Sequence, residues 1–509
     1  MLNKIINRYG IWILIIVFFS IFASHSLLKH SSFNTWAWDL GIYDQQAWLY
    51  SRFQYPYNTV RGMFLLSDHF SLSFILLVPF YWIYSHAETL LIMQAMLVAL
   101  SAFPLWIIAK HYSKSALFSY AITILYLSSV GIQSGIDFDF HLATIAVFFV
   151  SYFIYFFWKR QYIPCLIFGA LACLTKEDMP FYVAFISIFL FLFMPLELKG
   201  KKIIKKILYI FPSGFKKERI LAVVIFLFSI LYAVVLLKLI MPNLPGQGRF
   251  DYFSFRSLGN NYTDLIKNII IHPELVYQQF ITNPTKIHTA YVYFKGFGFL
   301  PLLAPHVLLA SAPFFMEKFV SDRSAQWYTG GQYGVIGMLE LAFASVVVIN
   351  YLKYLPSIVR QKIILVVSIS LLIIGINNNT KTDVFRLKPV FKKQTWTEYK
   401  KYKNINRLIT IVPNESSVAS QNEIIPHLSN RKEAYLFLCE ICSPPLRDPD
   451  YILLDERFGT TFTSPQDANI NNNIKELIDN GAIPSKKYTN HYILIKRDQT
   501  AYLFKREIK

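Results

Sequence analysis

The sequence predicts a polytopic α-helical membrane protein with a small soluble α/β domain at its C-terminal end. Hydrophobic residues make up 54% of the 509-residue chain. Apolar runs of roughly 20 residues, the length that crosses a bilayer, recur from Ile11 to about Ile376. A soluble protein could not bury so many helices that are apolar on every face. After Asn377 the sequence becomes polar and lysine-rich, which marks the start of the soluble domain.

Two groups of apolar stretches define the predicted membrane domain. The clear spans are 11–29, 88–109, 115–131, 142–158, 179–195, 219–241, 334–352 and 361–376. The short or interrupted stretches are 70–84, 163–174 and 296–315. We interpret 163–174 as a span, 70–84 as an interfacial helix, and the proline-containing 296–315 as a broken or re-entrant pair. The prediction is about nine full crossings, or about 9–11 membrane helices with the partial elements included.

The distribution of basic residues sets the orientation of these spans. The formal net charge is +19, and the basic residues cluster in loops between apolar runs, which is the positive-inside pattern rather than a nucleic-acid-binding surface. If 70–84 lies in the outer interface, Lys110, Lys159 and the basic loop from Lys199 to Arg219 all face the cytoplasm. The N-terminus is then cytoplasmic and the tail is extracytoplasmic, in a cell membrane that the chain crosses many times. No nucleic acid is expected as a partner.

This topology divides the chain into two domains. Residues 1–376 form the membrane domain, with long outer loops at 30–69 and 242–295. Residues 377–509 form the α/β domain on the outer side, because short strands and helices alternate there. The predicted strands are 416–420, 433–438, 451–456, 488–497 and 501–507, and the predicted helices are 395–411, 422–429 and 471–480.

The chain has four cysteines. Cys165 and Cys173 lie in an apolar segment and are interpreted as packing residues. Cys439 and Cys442 lack the second pair that a structural zinc site needs. A local disulfide between them is expected if the tail faces an oxidising compartment.

The first outer loop begins with an aromatic-rich segment, Trp36–Trp48, directly after the first span. Asp39 and Tyr43 share one face of a helix at this spacing. A carboxylate held at the membrane surface among aromatic rings can act as a general base toward an acceptor hydroxyl, and the rings can stack on sugars. We predict Asp39, Tyr43 and Asp44 as catalytic residues. The alternative interpretation is an interfacial aromatic belt with an aspartate as helix N-cap.

The predicted topology places three more polar segments on the same outer face. They are Ser67–Phe70, Asp137–His141 and Thr175–Asp178. The predicted substrate- or phosphate-binding residues are Gln45, His69, His141, Lys176, Glu177 and Asp178. The candidate ligands for a divalent cation, Mg²⁺ or Mn²⁺, are Asp68, Asp137 and Asp139. Helix capping could explain any one segment, but it explains four segments on one face less well.

These segments resemble the recurring motifs of a prokaryotic membrane-protein family called domain of unknown function 2079. That family carries Asp-Leu-Gly-x-Phe/Tyr-Asp-Gln after the first span, then His-Phe-Ser, Phe-His, Lys-Glu-Asp and Gly-Phe-Gly-x-Leu-Pro-Leu-Leu-Ala-Pro. The matching segments here are Asp39–Gln45, His69–Ser71, Phe140–His141, Lys176–Asp178 and Gly296–Pro305. Their order is kept over roughly residues 30–345, and together they are specific.

The family is similar to the GT-C class of membrane glycosyltransferases, which includes mannosyl- and aminoarabinose-transferring enzymes. That class carries an Asp-Glu-x-x-Tyr motif in its first outer loop, and Asp39 and Tyr43 match its Asp and Tyr. Leu40 stands at the position of the Glu, so the second acid is missing, and Gln332 precedes Tyr333 where the family often has His. The resemblance implies a GT-C-like fold, an aspartate that acts as the base or positions the acceptor, and a polyprenyl-phosphate sugar donor.

The leading hypothesis is a GT-C-type glycosyltransferase embedded in membrane lipids. It would transfer a sugar from a polyprenyl-phosphate donor to an envelope glycan, lipid or protein on the outer face. One alternative is a transporter or flippase for an envelope lipid or glycan, and another is a non-enzymatic assembly or sensor protein. Spans 115–131, 142–158 and 179–195 contain no Asp, Glu, Lys or Arg, which favours chemistry at one face over transport.

Overall fold

A computed structural model describes residues 2–191, 217–245, 253–380, 385–440, 442, 448–461, 463, 465, 468–482 and 488–507. The chain is mostly helical, with a small sheet near its C-terminal end. The α-helices are α1 (Leu2–Ser31), α2 (Ile42–Ser51), α3 (Leu65–Asp68), α4 (Ala87–Leu100), α5 (Ala102–Ser113), α6 (Ala116–Leu127), α7 (Val130–Asp137), α8 (Leu142–Trp158), α9 (Tyr162–Cys173), α10 (Met179–Phe185), α11 (Lys217–Val235), α12 (Tyr262–Ile271), α13 (Pro273–Ile281), α14 (Pro284–Gly296), α15 (Pro305–Ala310), α16 (Ala312–Phe315), α17 (Ser324–Trp327), α18 (Val335–Tyr351), α19 (Ser357–Thr380), α20 (Lys403–Ile409) and α21 (Ile470–Asn480). π-helical turns occur at Ala37–Gly41, Ile186–Phe191, Leu236–Ile240 and Met316–Val320.

The membrane domain contains helices of two lengths. Within the described part of the chain, five helical stretches are long and apolar enough to cross a membrane, or six if the bent pair α6 and α7 counts as one. The five are Tyr9–Ser31, Ala87–Ser113, Lys217–Asn243, Gln332–Tyr354 and Ser357–Asn377. The chain is therefore a multi-pass membrane protein, and α18 lies at its centre with every residue from Val335 to Asn350 buried.

Three predicted spans are shorter than a full crossing. They are the apolar helices Leu142–Trp158, Tyr162–Cys173 and Met179–Phe191. The sequence predicted about nine full crossings. In the described residues, five or six helical stretches are long and apolar enough for a full crossing, and these shorter helices account for the difference. Lys176–Asp178 follow α9 and end its apolar run. The end of the predicted span 179–195 and the basic loop before Lys217 lie outside the described residues.

The two partial elements are broken by proline. Residues Leu72–Trp82 form a 3-10 helix of 11 residues that contains Pro79, and at about 2 Å of rise per residue it is too short to cross the bilayer. Residues 296–315 form a 3-10 turn, Leu300–Leu303, followed by α15 and α16, with prolines near the start of each piece. Proline removes a helical hydrogen bond, which explains these breaks.

The segment 242–295, predicted as the second outer loop, contains helices where the sequence predicted a loop. Its described residues contain α12, α13 and α14, whereas 246–252 lie outside the described residues. The Asn261 side chain accepts a hydrogen bond from the Asp264 amide, and Asn283 does the same for Thr285. Pro273 stands near the start of α13. Asparagine N-caps and a proline in the first turn are sequence signals of helix starts, and they were not used when this segment was predicted to be a loop.

The C-terminal region contains a five-stranded sheet, as the sequence predicted. Its strands are β3 (Val418–Ser420), β4 (Ala434–Leu436), β5 (Tyr451–Asp455), β6 (Tyr492–Asp498) and β7 (Ala501–Arg506), in the order β4-β3-β5-β7-β6. β3 pairs in parallel with β4 and β5, and β7 pairs in antiparallel fashion with β5 and β6. A further hairpin, β1 (Tyr57–Asn58) and β2 (Met63–Phe64), lies in the first outer loop.

The helices of the tail agree less closely with the prediction. The predicted helix 471–480 is α21, and 395–411 is a 3-10 helix, Thr395–Tyr402, that continues into α20. The predicted helix 422–429 is reduced to one 3-10 turn, Ile425–His427, because Pro426 has no N–H to donate. Cys439 and Cys442 form a disulfide.

Candidate active site

The four predicted polar segments meet in one cluster. The Trp36 amide donates to Asp139 Oδ2 at 2.8 Å, which joins the first outer loop to the turn between α7 and α8. His69 Nδ1 lies 3.0 Å from Glu177 Oε1, and the ring centroids of His69 and His141 are 6.0 Å apart. The structure therefore brings together side chains from segments that are separated by up to about 140 positions in the sequence.

Asp39 lies in the π-helical turn Ala37–Gly41, which leads directly into α2. π-turns are rare and are frequent at functional sites. The spacing of Asp39 and Tyr43 predicted an ordinary α-helical face here, and the structure has this wider turn instead. Asp39 and Tyr43 still lie close together, since the charge of Asp39 contributes to the raised pKa of Tyr43.

The Asp39 carboxylate is partly buried but has no internal partner. It makes no hydrogen bond or ion pair with any residue that the structure describes. Burial raises the pKa of Asp39 to about 7, and the nearby charge of Asp139 adds to the rise, while His69 and Lys29 oppose it. A carboxylate with a pKa near neutrality and accessible oxygens is suited to general-base catalysis.

Tyr43 is buried beside Asp39. Its ring centroid lies 5.3 Å from that of Phe140 and 6.1 Å from that of His141, and both contacts are edge-on. Burial raises the pKa of the Tyr43 hydroxyl well above its ordinary value, and the charges of Asp39 and Asp68 add to this. The hydroxyl therefore stays protonated, so its predicted catalytic role is limited to hydrogen bonding.

His141 is held in one tautomer by the backbone. Its Nδ1 accepts a hydrogen bond from the Ala143 amide at 3.1 Å, so the neutral ring carries its proton on Nε2. Burial, with the charges of Lys176 and His69, lowers the pKa of His141 well below its ordinary value. Gln94, which sequence reasoning missed, donates to the Asp139 carbonyl at 2.5 Å and accepts from the His141 amide at 2.9 Å. His141 is thus a neutral N–H donor in a fixed orientation.

The segment after α9 contributes two linked ion pairs. Burial alone would lower the pKa of His69. The nearby Glu177 carboxylate raises it by more, so the pKa of His69 lies above its ordinary value. Lys176 pairs with Asp178. Burial also opposes the charge of Lys176, yet the carboxylates of Asp178, Glu177 and Glu317 keep its pKa above the ordinary value. Lys176 is therefore a cation whose charge is largely compensated by its neighbours.

Asp44 and Gln45 do not face this cluster, so the structure lends no support to their predicted roles, which stay predictions. Asp44 is fully buried, and its carboxylate accepts hydrogen bonds from the Tyr81 hydroxyl at 2.7 Å and the Ser429 hydroxyl at 2.6 Å. The Gln45 amide is also fully buried and bonds to Thr59 and to backbone carbonyls of the C-terminal domain. Both side chains join the first outer loop to other parts of the chain, and neither has an oxygen left for substrate.

The three predicted metal ligands each contact a basic side chain. Asp68 accepts two hydrogen bonds from Arg61, at 2.9 and 3.2 Å, and Asp139 Oδ1 lies 2.8 Å from the Lys29 amine. Asp137 Oδ1 lies 2.8 Å from Nε2 of His25 in α1. Among the residues that the structure describes, no group of three or more His, Cys, Asp or Glu side chains could hold a metal ion. The geometry therefore lends no support to a site for Mg²⁺ or Mn²⁺, and metal use stays a prediction.

Sequence reasoning also missed a pair of charges beside the cluster, Glu317 and Lys318. Glu317 Oε2 accepts a hydrogen bond from the Tyr182 hydroxyl at 2.8 Å. Lys318 is fully buried, and its amine has no hydrogen-bond partner within the described part of the chain. The Lys318 Nζ atom lies 5.8 Å from the ring centroid of Tyr333. Two charges within an otherwise apolar stretch were the signal in the sequence, because such residues usually mark function.

One solved structure shares this architecture, and a second was compared with the chain. The crystal structure of ArnT from Cupriavidus metallidurans in the apo state aligns with a TM-score of 0.50 and 10% sequence identity, over 92% of this chain and 93% of that chain. The crystal structure of the same protein bound to undecaprenyl phosphate aligns with a TM-score of 0.47 and 9% identity, over 98% of each chain. At this identity the likeness to the apo structure shows the fold alone, which is the predicted GT-C fold.

The sequence also matches a family model. No curated protein sequence matches the chain. The family model described as "Predicted membrane protein (DUF2079)" matches residues 29–493, which include all four polar segments and most of the C-terminal domain. The chain therefore belongs to the DUF2079 family of predicted membrane proteins.

Proposed function

We propose that this protein is a GT-C-type membrane glycosyltransferase that transfers a sugar from a polyprenyl-phosphate donor to an envelope acceptor on the outer face. The observation that carries the proposal is the state of Asp39. Its carboxylate is partly exposed, has no hydrogen bond within the described residues, and has a pKa of about 7. The donor class is supported by the resemblance to GT-C enzymes and by ArnT, whose apo form shares the fold and which binds undecaprenyl phosphate.

In the proposed reaction Asp39 accepts the proton of the acceptor hydroxyl while the hydroxyl oxygen bonds to the anomeric carbon. The bond between the anomeric carbon and the phosphate oxygen breaks, and its electron pair leaves with the polyprenyl phosphate. The resemblance to the GT-C class implies a direct displacement that inverts the anomeric centre. Tyr43 stays protonated beside the base and orients it or the acceptor through its hydroxyl.

The leaving phosphate needs donors and positive charge. We assign the donor role to the His141 Nε2–H group and to the Lys318 amine, because neither group has a hydrogen-bond partner among the described residues. Lys318 would also supply the positive charge; burial lowers the pKa of its amine to about 7, and a phosphate beside it would raise this pKa. Lys176, which the sequence suggested first, is already paired with Asp178. It contributes to the local potential rather than a direct contact. Lys318 is fully buried, with its amine 5.8 Å from the Tyr333 ring centroid, so contact with the phosphate requires side chains around it to move.

The acceptor side of the site is aromatic. Trp36 is 48% exposed next to the π-turn. The Arg61 guanidinium lies 4.8 Å from the Trp38 ring centroid and is held there by Asp68. Exposed aromatic faces beside a base suit an acceptor with a sugar ring, because the apolar face of a sugar can stack on them.

The outer-face orientation and metal use complete the proposal. The disulfide between Cys439 and Cys442 supports an oxidising, extracytoplasmic location for the C-terminal domain. A divalent cation such as Mg²⁺ or Mn²⁺ would raise the transfer rate if it assists the leaving phosphate. Transfer measured with and without a chelator tests this point.

The proposal is tested by reconstituting the full chain in liposomes with a panel of polyprenyl-phosphate sugars and envelope acceptors. The expected result is release of polyprenyl phosphate together with a glycosylated acceptor, for at least one donor. Release that depends on the chain but not on the acceptor would indicate hydrolysis. Absence of release with every donor, from a folded preparation, would contradict the proposal.

Transport is the second candidate function, and one observation favours it. Glu340 lies in the buried helix α18, close to Ser311, and neither carboxylate oxygen makes a hydrogen bond of good geometry among the described residues. Ionisable groups inside a membrane often belong to transport pathways. Movement of a fluorescent polyprenyl phosphate across the same liposomes, without sugar transfer, would support this alternative over the enzyme.

A further inference from the structure

The C-terminal domain reaches the π-turn that carries Asp39. The Ala37 amide donates to the Asn422 carbonyl at 2.8 Å. The Trp38 amide donates to Asn422 Oδ1 at 3.4 Å. The first amides of a helix have no partner within the helix and must be satisfied from outside. Asn422 therefore caps the turn from another domain.

The membrane domain caps the same turn from the other side. Asp139 Oδ2 accepts the Trp36 amide at 2.8 Å. The Trp36 carbonyl then accepts the Gly41 amide at 3.2 Å, which closes the π-turn around Asp39. The three successive amides that precede Asp39 are thus held by two residues, Asp139 and Asn422, from two domains. The backbone position of Asp39 depends on both.

Asn422 is itself firmly anchored. It is 6% exposed and follows Gln421, whose side chain accepts from the Asp455 amide at 2.7 Å and donates to the Asp455 carbonyl at 3.0 Å. Ile425, in the same segment, packs against the turn so closely that a Cβ on Gly41 would lie 3.2 Å from its Cγ2 atom. The position of the π-turn therefore depends on the position of the sheet in the C-terminal domain.

We propose that Asn422 is a positioning residue for Asp39, so that the C-terminal domain completes the active site. This inference rests on the proposed function, in which Asp39 is the base. The cap fixes the direction in which the carboxylate leaves the π-turn. Loss of the side-chain hydrogen bond between Asn422 Oδ1 and the Trp38 amide should therefore slow proton transfer. It should not weaken donor binding, since Asn422 is not one of the proposed phosphate-binding residues.

Kinetics of Asn422→Ala provide the first test. The loss of one cap should lower kcat by about 3- to 10-fold with KM for the donor unchanged. Asn422→Asp keeps an acceptor oxygen and should restore most of the rate. The matched control is Asn430→Ala, since Asn430 donates to the Ser85 carbonyl at the same domain interface without contacting the π-turn. A wild-type kcat for Asn422→Ala would overturn the inference, as would an equal loss for both alanine variants.

A second test does not depend on transfer. In the full chain with Asp39→Cys, the rate of thiol modification by a small methanethiosulfonate reagent reports the exposure of position 39. Adding Asn422→Ala should change this rate by about threefold or more, whereas adding Asn430→Ala should not. An unchanged rate overturns the positioning role. If the wild-type chain transfers no sugar but the labelling rate changes, the proposed function fails and the structural cap stands.

Discussion

The π-turn that carries Asp39 and the helix α2 that follows it contain two aspartates with similar electrostatics and different surroundings. Burial raises the pKa of Asp39 and of Asp44 to about 7 in each case. Asp44 accepts two hydroxyl hydrogen bonds, whereas Asp39 has no partner within the described residues. A raised pKa therefore does not identify a base by itself, because a carboxylate must also have oxygens left for substrate.

The same contrast distinguishes two lysines. Lys176 is paired with Asp178 and lies among further carboxylates. Lys318 is fully buried, and its amine has no hydrogen-bond partner in the described part of the chain. A buried amine without a partner costs free energy unless a ligand uses it. Both contrasts indicate that the groups without internal partners are the ones reserved for substrate.

The largest expected effect separates the two aspartates. Asp39→Asn should lower the transfer rate by about 100- to 10,000-fold, since the base is lost while the shape is kept. Asp44→Ala should leave two buried hydroxyls unpaired and destabilise the fold by about 1–3 kcal/mol, with transfer per folded molecule retained. Thermal unfolding and transfer assays on the same preparations measure both. A large loss of transfer rate in folded Asp44→Ala protein would contradict the distinction between a catalytic Asp39 and a structural Asp44.

A smaller effect is expected at His141, where two roles can be separated. His141→Asn keeps an oxygen that can cap α8 but removes the Nε2–H donor, so the rate should fall by about 10- to 100-fold at unchanged stability. His141→Ala should lose the same rate and also about 0.5–2 kcal/mol of stability. Equal transfer rates for His141→Asn and the wild type would mean that His141 only caps α8.

The lysine contrast gives an effect mainly on donor binding. Lys318→Met should raise KM for the donor by about tenfold without lowering the melting temperature, because no internal bond is lost. Lys176→Met should instead destabilise the protein by about 3–5 kcal/mol, because it leaves buried carboxylates unpaired. If Lys318→Met binds donor normally while a stable Lys176 variant does not, the two assignments must be exchanged.

The smallest expected effect is a shift in the pH profile. Transfer should fall as the pH drops through about 7, because Asp39 becomes protonated and can no longer accept a proton. Asp139→Asn removes a nearby negative charge, so the pKa of Asp39 should decrease and the midpoint should move to lower pH by less than about one unit. A midpoint that stays in place or rises would contradict the assignment of this titration to Asp39.

The sequence predicted the parts of this protein that depend on local pattern. The five strands of the tail were predicted from short apolar runs, and the four polar segments from charges between spans. The π-turn could not be predicted, since it is capped by Asp139 and Asn422, which lie 103 and 384 positions from their partners. The placement of Asp44 away from the cluster could not be predicted for the same reason, because its partner Ser429 is 385 positions away.

Chemical rescue of Asp39→Ala tests the central claim most directly. Without the carboxylate, transfer from the polyprenyl-phosphate sugar should be almost abolished, and added formate should restore it in a saturable manner by accepting the proton in its place. Formate should not increase transfer by wild type or by Asp44→Ala. Transfer by Asp39→Ala at the wild-type rate, with or without formate, would contradict the account and show that Asp39 is not the base.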